Sequence, residues 1–300
     1  MILSRLHPES VRSPAPAVRE RRSAVLDLVR ALYPQAPHAT LCMPFSRAKA
    51  KLAGAHYLAS TNGARLNAVL GHAADAIEFT YARRGRGESL RNLIMQVAHR
   101  NPALSFVPLI ESARRDWSRV LALPARGRCY RALLADTAAP LRAASNATRF
   151  VPFRPDLDCQ AALDLLHACD PEREPRAAAL RFEALLAADD FFPAGWFFLE
   201  RRDSGERVGL AINGYCPEFE EGFVDWIQVR PDDRHRGYGT LLLQESIRRL
   251  QHARFITVAG IAPPDEKADL FARCGFTRRR HWTILGQNGT ARAPARTAGA

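Results

Sequence analysis

The alternation of apolar and polar positions divides the chain into two successive runs of strands and helices. The first run predicts helices at 23–33, 89–99 and 113–121, and strands at 55–60, 64–71, 76–82, 104–110 and 128–134. The second predicts helices at 159–168, 176–187, 240–250 and 265–273, and strands at 148–153, 196–202, 208–215, 223–229, 255–260 and 279–285. The Asn62-Gly63 pair between two of these strands is typical of a β-hairpin. This order of elements indicates an α/β (α+β) fold with central sheets flanked by helices.

A glycine-containing loop lies between the predicted strand at 223–229 and the helix that follows it. Pro231 ends the strand, residues 234–239 read Arg-His-Arg-Gly-Tyr-Gly, and Thr240 is expected to open the helix. The glycines let the backbone bend and approach a ligand closely. The N-terminus of a helix offers free N–H groups and the positive end of a dipole, which together bind phosphate. The sequence therefore predicts a phosphate-binding loop.

The spacing of the glycines narrows the kind of loop. A third glycine for a dinucleotide-binding fingerprint is missing, and so is the Gly-Lys-Ser/Thr ending of a P-loop. What remains, Arg234-x-x-Gly237-x-Gly239 after a strand, resembles the coenzyme A pyrophosphate loop of the GNAT superfamily of N-acyltransferases. The later segment 270–276 (Leu-Phe-Ala-Arg-Cys-Gly-Phe) is similar to that family's Leu-Tyr-x-x-x-Gly-Phe.

The resemblance implies acetyl-CoA or another acyl-CoA as cosubstrate and implies no metal. It assigns pairing with the pantetheine arm to the backbone of 227–229 and binding of the pyrophosphate to N–H groups of 235–240. Two arginines would add charge-assisted contacts. The coenzyme-binding residues expected on this basis are Ile227, Gln228, Val229, Arg234, His235, Arg236, Gly237, Tyr238, Gly239 and Thr240.

Acyl transfer to an amine requires a base that accepts the ammonium proton. Family bases are often acidic residues on or near the strand before the loop, which implies Asp225, Glu220 and Glu221 as candidates, with Glu218 nearby. Asp225 precedes Ile227 by two residues and would share its face in an ideal strand. The alternative for each carboxylate is an ordinary surface position.

The resemblance is incomplete at the acid that protonates the leaving thiolate. Phe271 occupies the position of the family's tyrosine, and phenylalanine cannot donate a proton. Pro264 occupies the position of a frequent asparagine. Tyr215 is a candidate for the acid, and Tyr238, Cys274 or water are the other options.

The two runs of elements also resemble each other. An offset of 152 residues relates Gly85 to Gly237, Gly87 to Gly239, Phe106 to Val258 and Tyr130 to Trp282. The prediction is two GNAT-like domains in tandem, each with a central mixed, mostly antiparallel sheet flanked by helices. The proposed organisation is a flexible leader at 1–20, a degenerate domain at 21–138, a linker at 139–147, an acyltransferase domain at 148–286 and a disordered tail at 287–300.

The N-terminal copy departs from the loop pattern. Ala82 stands where the pattern has arginine or glutamine, and Leu123 and Pro124 fall on Gly275 and Phe276. Arg83, Arg84 and Arg86 could still bind a phosphate. We expect the N-terminal domain to have lost catalysis and to shape the acceptor cleft or stabilise the pair.

Composition restricts the partners. The formal net charge is +12, yet only three basic residues are lysines, and an arginine bias in an alanine-rich chain fits genome composition as well as a polyanion. Nucleic acid is therefore not the favoured partner. Six widely spaced cysteines without a Cys-x-x-Cys pair indicate reduced thiols in a cytoplasmic protein. We expect no membrane span and no signal peptide.

Three functional hypotheses follow. The first is an acyl-CoA-dependent N-acyltransferase in which the amine of a small molecule or a protein attacks the thioester directly. The second is a non-catalytic acyl-CoA-binding or regulatory module, which Phe271 and Pro264 favour. The third is an RNA- or protein-modifying enzyme, which the positive charge favours.

Overall fold

The computed structural model describes residues 26–62, 65–73, 76–102, 104, 106–111, 116–134, 147–169, 174–261 and 270–286. The helices are α1 (26–32), α2 (Pro37–Thr40), α3 (Phe45–Gly54), α4 (Gly87–Arg100), α5 (Trp117–Leu121), α6 (Pro155–Cys169), α7 (Pro175–Leu186), α8 (Tyr238–Arg249) and α9 (Leu270–Arg273). The strands are β1 (His56–Asn62), β2 (Arg65–His72), β3 (Ile77–Ala82), β4 (Val107–Ile110), β5 (Ala125–Leu133), β6 (Thr148–Pro152), β7 (Phe197–Arg201), β8 (Arg207–Cys216), β9 (Glu221–Val229), β10 (Phe255–Ile261) and β11 (Arg278–Leu285).

The chain divides into two compact units. Among the described residues, unit 1 comprises 26–131 and 280–286, and unit 2 comprises 132–279. The division falls before the predicted linker at 139–147, and it groups most of β11 with the N-terminal half of the chain. The domain boundaries given by the sequence remain a prediction.

Unit 1 is built from antiparallel pairs and one parallel bridge. The strand order β1-β2-β3 is antiparallel throughout, and β4 begins beside β3 at a parallel bridge between Ala76 and Phe106. The last strand, β11, pairs with β4 antiparallel, placing Trp282 opposite Ile110. Leu285 is fully buried in the core that α4 forms against this sheet. A residue close to the end of the sequence therefore completes the core of unit 1.

Unit 2 contains five consecutive strands of a larger sheet, in the order β10-β9-β8-β7-β6. All its pairs are antiparallel except β9 with β10. Helices α6 and α7 cover one face through an aromatic core that includes Trp196, Phe182 and Trp226, and α8 packs on β8 and β9. The approach of α8 is close, because a Cβ on Gly209 would lie 2.8 Å from Leu242.

The fold class and tandem plan predicted from the sequence are confirmed, and most elements lie within a few residues of their predicted bounds. The prediction missed α3, although its buried Phe45, Ala48 and Leu52 have helical spacing. The helix after the glycine loop begins at Tyr238 rather than Thr240, because Gly237 already serves as its N-cap. The predicted leader (1–20), tail (287–300) and nearly all of the linker lie outside the described residues.

Within the described ranges, none of the helices combines the length and apolar character needed to cross a membrane.

Candidate functional site

The two parallel strands of unit 2 separate partway along their length. Residues 221–224 of β9 pair with residues 255–258 of β10, yet β9 continues to Val229 and β10 to Ile261. On its other side, β9 stays paired with β8 as far as Val229, which lies opposite Gly209. The β10-facing edge of 225–229 therefore lies beyond the parallel pairing. An extended ligand can bind such an edge through backbone hydrogen bonds.

A β-bulge marks the start of this open edge. Trp226 lies opposite Ile212 and Val224 lies opposite Asn213, so that Asp225 is the extra residue of β9. The bulge interrupts the alternation of side chains, and the expectation that Asp225 shares a face with Ile227 no longer follows from ideal strand geometry. Asp225 is half-buried. Bulges are frequent next to active sites, where they redirect a side chain.

The two glutamates proposed as bases have opposite environments. Glu221 is fully buried and accepts a hydrogen bond of 2.6 Å from the Thr257 hydroxyl of β10. Glu220 is exposed and has a positive φ of 52° at the turn before β9. Four residue steps of strand place Glu221 roughly 13 Å from Asp225. Glu221 and Asp225, the two candidate bases within β9, therefore cannot act at the same point of the strand.

Tyr215, a candidate for the acid, lies in the paired part of the sheet. It is opposite Gly222, three residues before the bulge and so roughly 10 Å along the strand from Asp225. Its ring packs against His252 at 4.8 Å and Phe192 at 6.0 Å between centroids.

The other proposed acid positions offer little beyond what the sequence indicated. Phe271 packs edge-on against Phe276 at 6.1 Å, which is a structural role. Cys274 is buried and Tyr238 half-buried. Pro264 lies outside the described residues.

The glycine loop has the geometry of an anion site. A 3₁₀ turn (Pro231–Asp233) follows β9, and His235 and Gly237 both have positive φ, at 63° and 81°. The first hydrogen bond of α8 runs from the Leu241 N–H to the Gly237 carbonyl at 3.1 Å, and no side chain caps the helix. The N–H groups of Tyr238, Gly239 and Thr240 thus precede the helical hydrogen bonds, at the positive end of the helix dipole.

The two arginines of the loop differ in their surroundings. The Arg234 guanidinium donates to the carbonyls of Val229 at 3.4 Å and Cys169 at 3.3 Å, which ties the loop to the C-terminus of α6. The Cys169 thiol donates to the same Val229 carbonyl at 3.2 Å. Arg236 is exposed at the loop surface, 3.8 Å from the carboxylate of Asp233. Arg236 is therefore the better placed of the two to contact a bound anion.

The C-terminal half of the chain is similar to a known protein family. A model of the acetyltransferase (GNAT) family matches residues 159–276. The C-terminal half carries a GNAT domain. The matched residues include the bulge, the glycine loop and the Leu270–Phe276 segment. No curated protein matches the chain.

Solved structures share the fold of both halves. A GCN5-related N-acetyltransferase from Sphaerobacter thermophilus is 16% identical, with 86% of this chain and 93% of that chain covered and a TM-score of 0.55. A GNAT-family acetyltransferase from Colwellia psychrerythraea is 11% identical, with 88% and 97% covered and a TM-score of 0.56. A tandem GNAT protein of the clavulanic acid biosynthesis pathway is 16% identical, with 79% and 85% covered and a TM-score of 0.50.

The GNAT domain also contains contacts that the sequence prediction missed. Asp233 is buried and pairs with Arg201 of β7, and Thr257 bonds Glu221. Asp233 adjoins the glycine loop in the sequence, but its partner lies 32 residues away on another strand. Among the described residues, no three His, Cys, Asp or Glu side chains form a group that could hold a metal ion.

Proposed function

We propose that the protein is an acyl-CoA-dependent N-acyltransferase, with acetyl-CoA or another acyl-CoA bound in the GNAT domain of unit 2. The observation that carries this proposal is the separation of β9 from β10 directly before an uncapped helix N-terminus. A long ligand with an amide-containing arm and a pyrophosphate fits that combination of backbone edge and anion site. The alternative is a module that binds acyl-CoA without turnover.

The residues of the site divide between holding the arm and holding the phosphates. The open edge of Ile227, Gln228 and Val229 supplies backbone groups for the pantetheine amides. The N–H groups at the start of α8 and the guanidinium of Arg236 receive the pyrophosphate. Arg234 acts mainly by fixing the loop on α6, which leaves the backbone of the loop in place for the ligand.

The reaction supported by this arrangement is direct attack on the thioester. The amine nitrogen of a small molecule or a protein forms the C–N bond, the C–S bond breaks, a base accepts the ammonium proton, and the thiolate takes a proton from water. Backbone N–H groups along 225–229 would polarise the carbonyl oxygen, so that positioning and electrostatics provide most of the catalysis. Asp225, at the bulge where the strands separate, is our preferred base.

Release of coenzyme A in the presence of a panel of amines tests the class of function. We expect acetyl-CoA to raise the melting temperature of the full chain and one or more amines to produce free thiol. Stabilisation by acetyl-CoA with no thiol release for any amine in the panel would favour the binding module instead. The absence of both would contradict the proposal.

Asp225→Asn tests the proposed base. We expect kcat to fall about a hundredfold and the rising limb of its pH profile to disappear, because the amide cannot accept a proton. Asp232→Asn, at an exposed position of the 3₁₀ turn, is the control for loss of one carboxylate and should keep the wild-type profile. An unchanged rate and pH profile in Asp225→Asn would remove Asp225 as the base and leave Glu220 and Glu221 to be examined.

A further inference from the structure

A chain of alternating charges connects the phosphate loop to the β7–β8 hairpin. Arg230 contacts Glu206 at 3.2 Å, Glu206 contacts Arg201 at 2.7 Å, Arg201 contacts Asp233, and Asp233 contacts Arg236 at 3.8 Å. Three guanidinium groups and two carboxylates leave one positive charge in excess. The network links the hairpin to the β9–α8 connection twice, through Glu206–Arg230 and through Arg201–Asp233, and the second link is the one that continues to Arg236.

Asp233 is the buried member of this network. Its side chain is 2% exposed, whereas that of Glu206 is 37% exposed. A buried carboxylate is costly unless it is paired and hydrogen-bonded, and Arg201 supplies that pairing. The bond to Asp233 also raises the pKa of Arg201. The Asp233 N–H donates to the Arg230 carbonyl at 3.0 Å, so that its backbone fixes the 3₁₀ turn before the loop.

Arg236 is the loosely held member. Its side chain is 56% exposed, and the 3.8 Å between its guanidinium and the Asp233 carboxylate is longer than a hydrogen bond, so the contact holds Arg236 only weakly. Charge-assisted hydrogen bonds to a phosphate are stronger. Arg236 can therefore leave Asp233 for a bound phosphate, while Arg201 keeps the Asp233 carboxylate paired.

We propose that Asp233 is a positioning residue for phosphate binding, which fixes the loop on Arg201 and holds Arg236 beside the N-terminus of α8. This inference rests on the proposed binding of coenzyme A by the same loop. A positioning role and a simple charge effect predict opposite changes in coenzyme A affinity when Asp233 loses its charge. Removing a carboxylate near an anion site should strengthen anion binding, whereas removing a positioning residue should weaken it.

Calorimetric titration of the full chain with coenzyme A tests the proposal. We expect Asp233→Asn to weaken binding about tenfold, and to raise KM for acyl-CoA with kcat at saturation retained. Glu206→Gln is the matched control, since it removes an equal charge from the same network outside the loop, and its affinity should be unchanged or slightly higher. Unchanged or tighter binding by Asp233→Asn would overturn the inference.

A double variant tests whether Asp233 acts through Arg236. If it does, Asp233→Asn combined with Arg236→Gln should bind coenzyme A no more weakly than Arg236→Gln alone. Fully additive losses would contradict that route. Should Asp233→Asn fail to fold, Arg236→Gln still decides, because an unchanged affinity and salt dependence in this surface variant would exclude Arg236 as the phosphate contact.

The same titrations separate this inference from the proposed function. A wild-type protein that binds neither coenzyme A nor inorganic pyrophosphate would overturn both. Binding with the expected Asp233 effect but no thiol release in the amine assay would overturn the proposed catalysis and leave Asp233 as a positioning residue of a binding module.

Discussion

The strand–loop–helix segments of the two units share a backbone plan and differ in their chemistry. In unit 1 the segment runs from β3 to α4, and in unit 2 from β9 to α8. Each loop contains a glycine in the left-handed region, Gly85 at φ 80° and Gly237 at φ 81°. The connection is four residues long in unit 1 (83–86) and eight in unit 2 (230–237). The difference includes the 3₁₀ turn that carries Asp233.

The helix starts and the strand pairs also differ. The first turn of α4 contains Glu88, an acidic side chain at the positive end of the helix, whereas the first turn of α8 contains none. In unit 1, the Thr80 hydroxyl donates to the Pro108 carbonyl at 3.1 Å, which connects β3 and β4 beyond their parallel bridge. The acidic first turn of α4 and the bonded edge of β3 distinguish the unit 1 segment from that of unit 2, although the unit 1 loop itself contains Arg83, Arg84 and Arg86.

The largest effect we predict is a loss of stability in unit 1 when a buried side chain of β11 is truncated. Leu285→Ala should destabilise unit 1 by about 2–5 kcal/mol, because Leu285 is fully buried in the core of that unit. Hydrogen exchange should show faster exchange in α4 and β2, with β7 and β8 little changed. Leu242→Ala, also fully buried but on α8, is the mirror control and should act on unit 2. Faster exchange confined to unit 2 in Leu285→Ala would contradict the assignment of β11 to unit 1.

The next effect compares the two glycines directly. Gly237→Glu should weaken coenzyme A binding at least about a hundredfold. The substitution strains the left-handed backbone at this position, and its carboxylate would compete with the pyrophosphate for the N-terminus of α8 and repel it. Gly85→Glu is matched in φ, and a Cβ would meet nothing within 4 Å at either position. Both variants should lose a similar amount of stability, on the order of 1–2 kcal/mol. Coenzyme-induced shifts in melting temperature decide between the loops, and loss of the shift in Gly85→Glu alone would reverse our assignment.

The smallest effect concerns stability in acid. Burial by itself would raise the pKa of Asp158, but hydrogen bonds from Arg154 and Arg207 outweigh it and lower the pKa to about 2. Because the folded-state pKa is depressed, the stabilisation is complete above the unfolded pKa of about 4 and is lost as pH falls to about 2. Asp158→Asn should therefore destabilise unit 2 by about 1 kcal/mol at pH 7, with the difference from wild type shrinking below pH 4.

A matched measurement in unit 1 sharpens this prediction. The pKa of Glu111 is also lowered, chiefly by its hydrogen bond from Arg128. Glu111→Gln should show the same sign of pH dependence in unit 1. Urea unfolding across this pH range measures both, and a difference for Asp158→Asn that grows as the pH falls would contradict the predicted sign.

The sequence predicted those parts of the molecule that depend on local pattern. The hairpin at Asn62 and the helix after Gly237 follow from turn chemistry and apolar spacing. The resemblance to the GNAT family, whose model matches residues 159–276, rests on residues 234–239 and 270–276. The bulge at Asp225 depends on the register with β8, which a single strand does not encode. The Asp233–Arg201 pair and the membership of β11 in unit 1 arise from contacts distant in sequence, and neither has a local signal.

The placement of β11 has a consequence for folding during synthesis. Domains generally fold as units, N-terminal first, as the chain leaves the ribosome. Here unit 1 requires Trp282 and Leu285, whereas the rest of its sequence ends at Arg131. At about 5–20 residues per second, those side chains emerge on the order of ten seconds after the rest of the unit. During that interval β4 lacks its antiparallel neighbour. We therefore expect the nascent N-terminal half to aggregate or bind chaperones most readily before β11 has been synthesised.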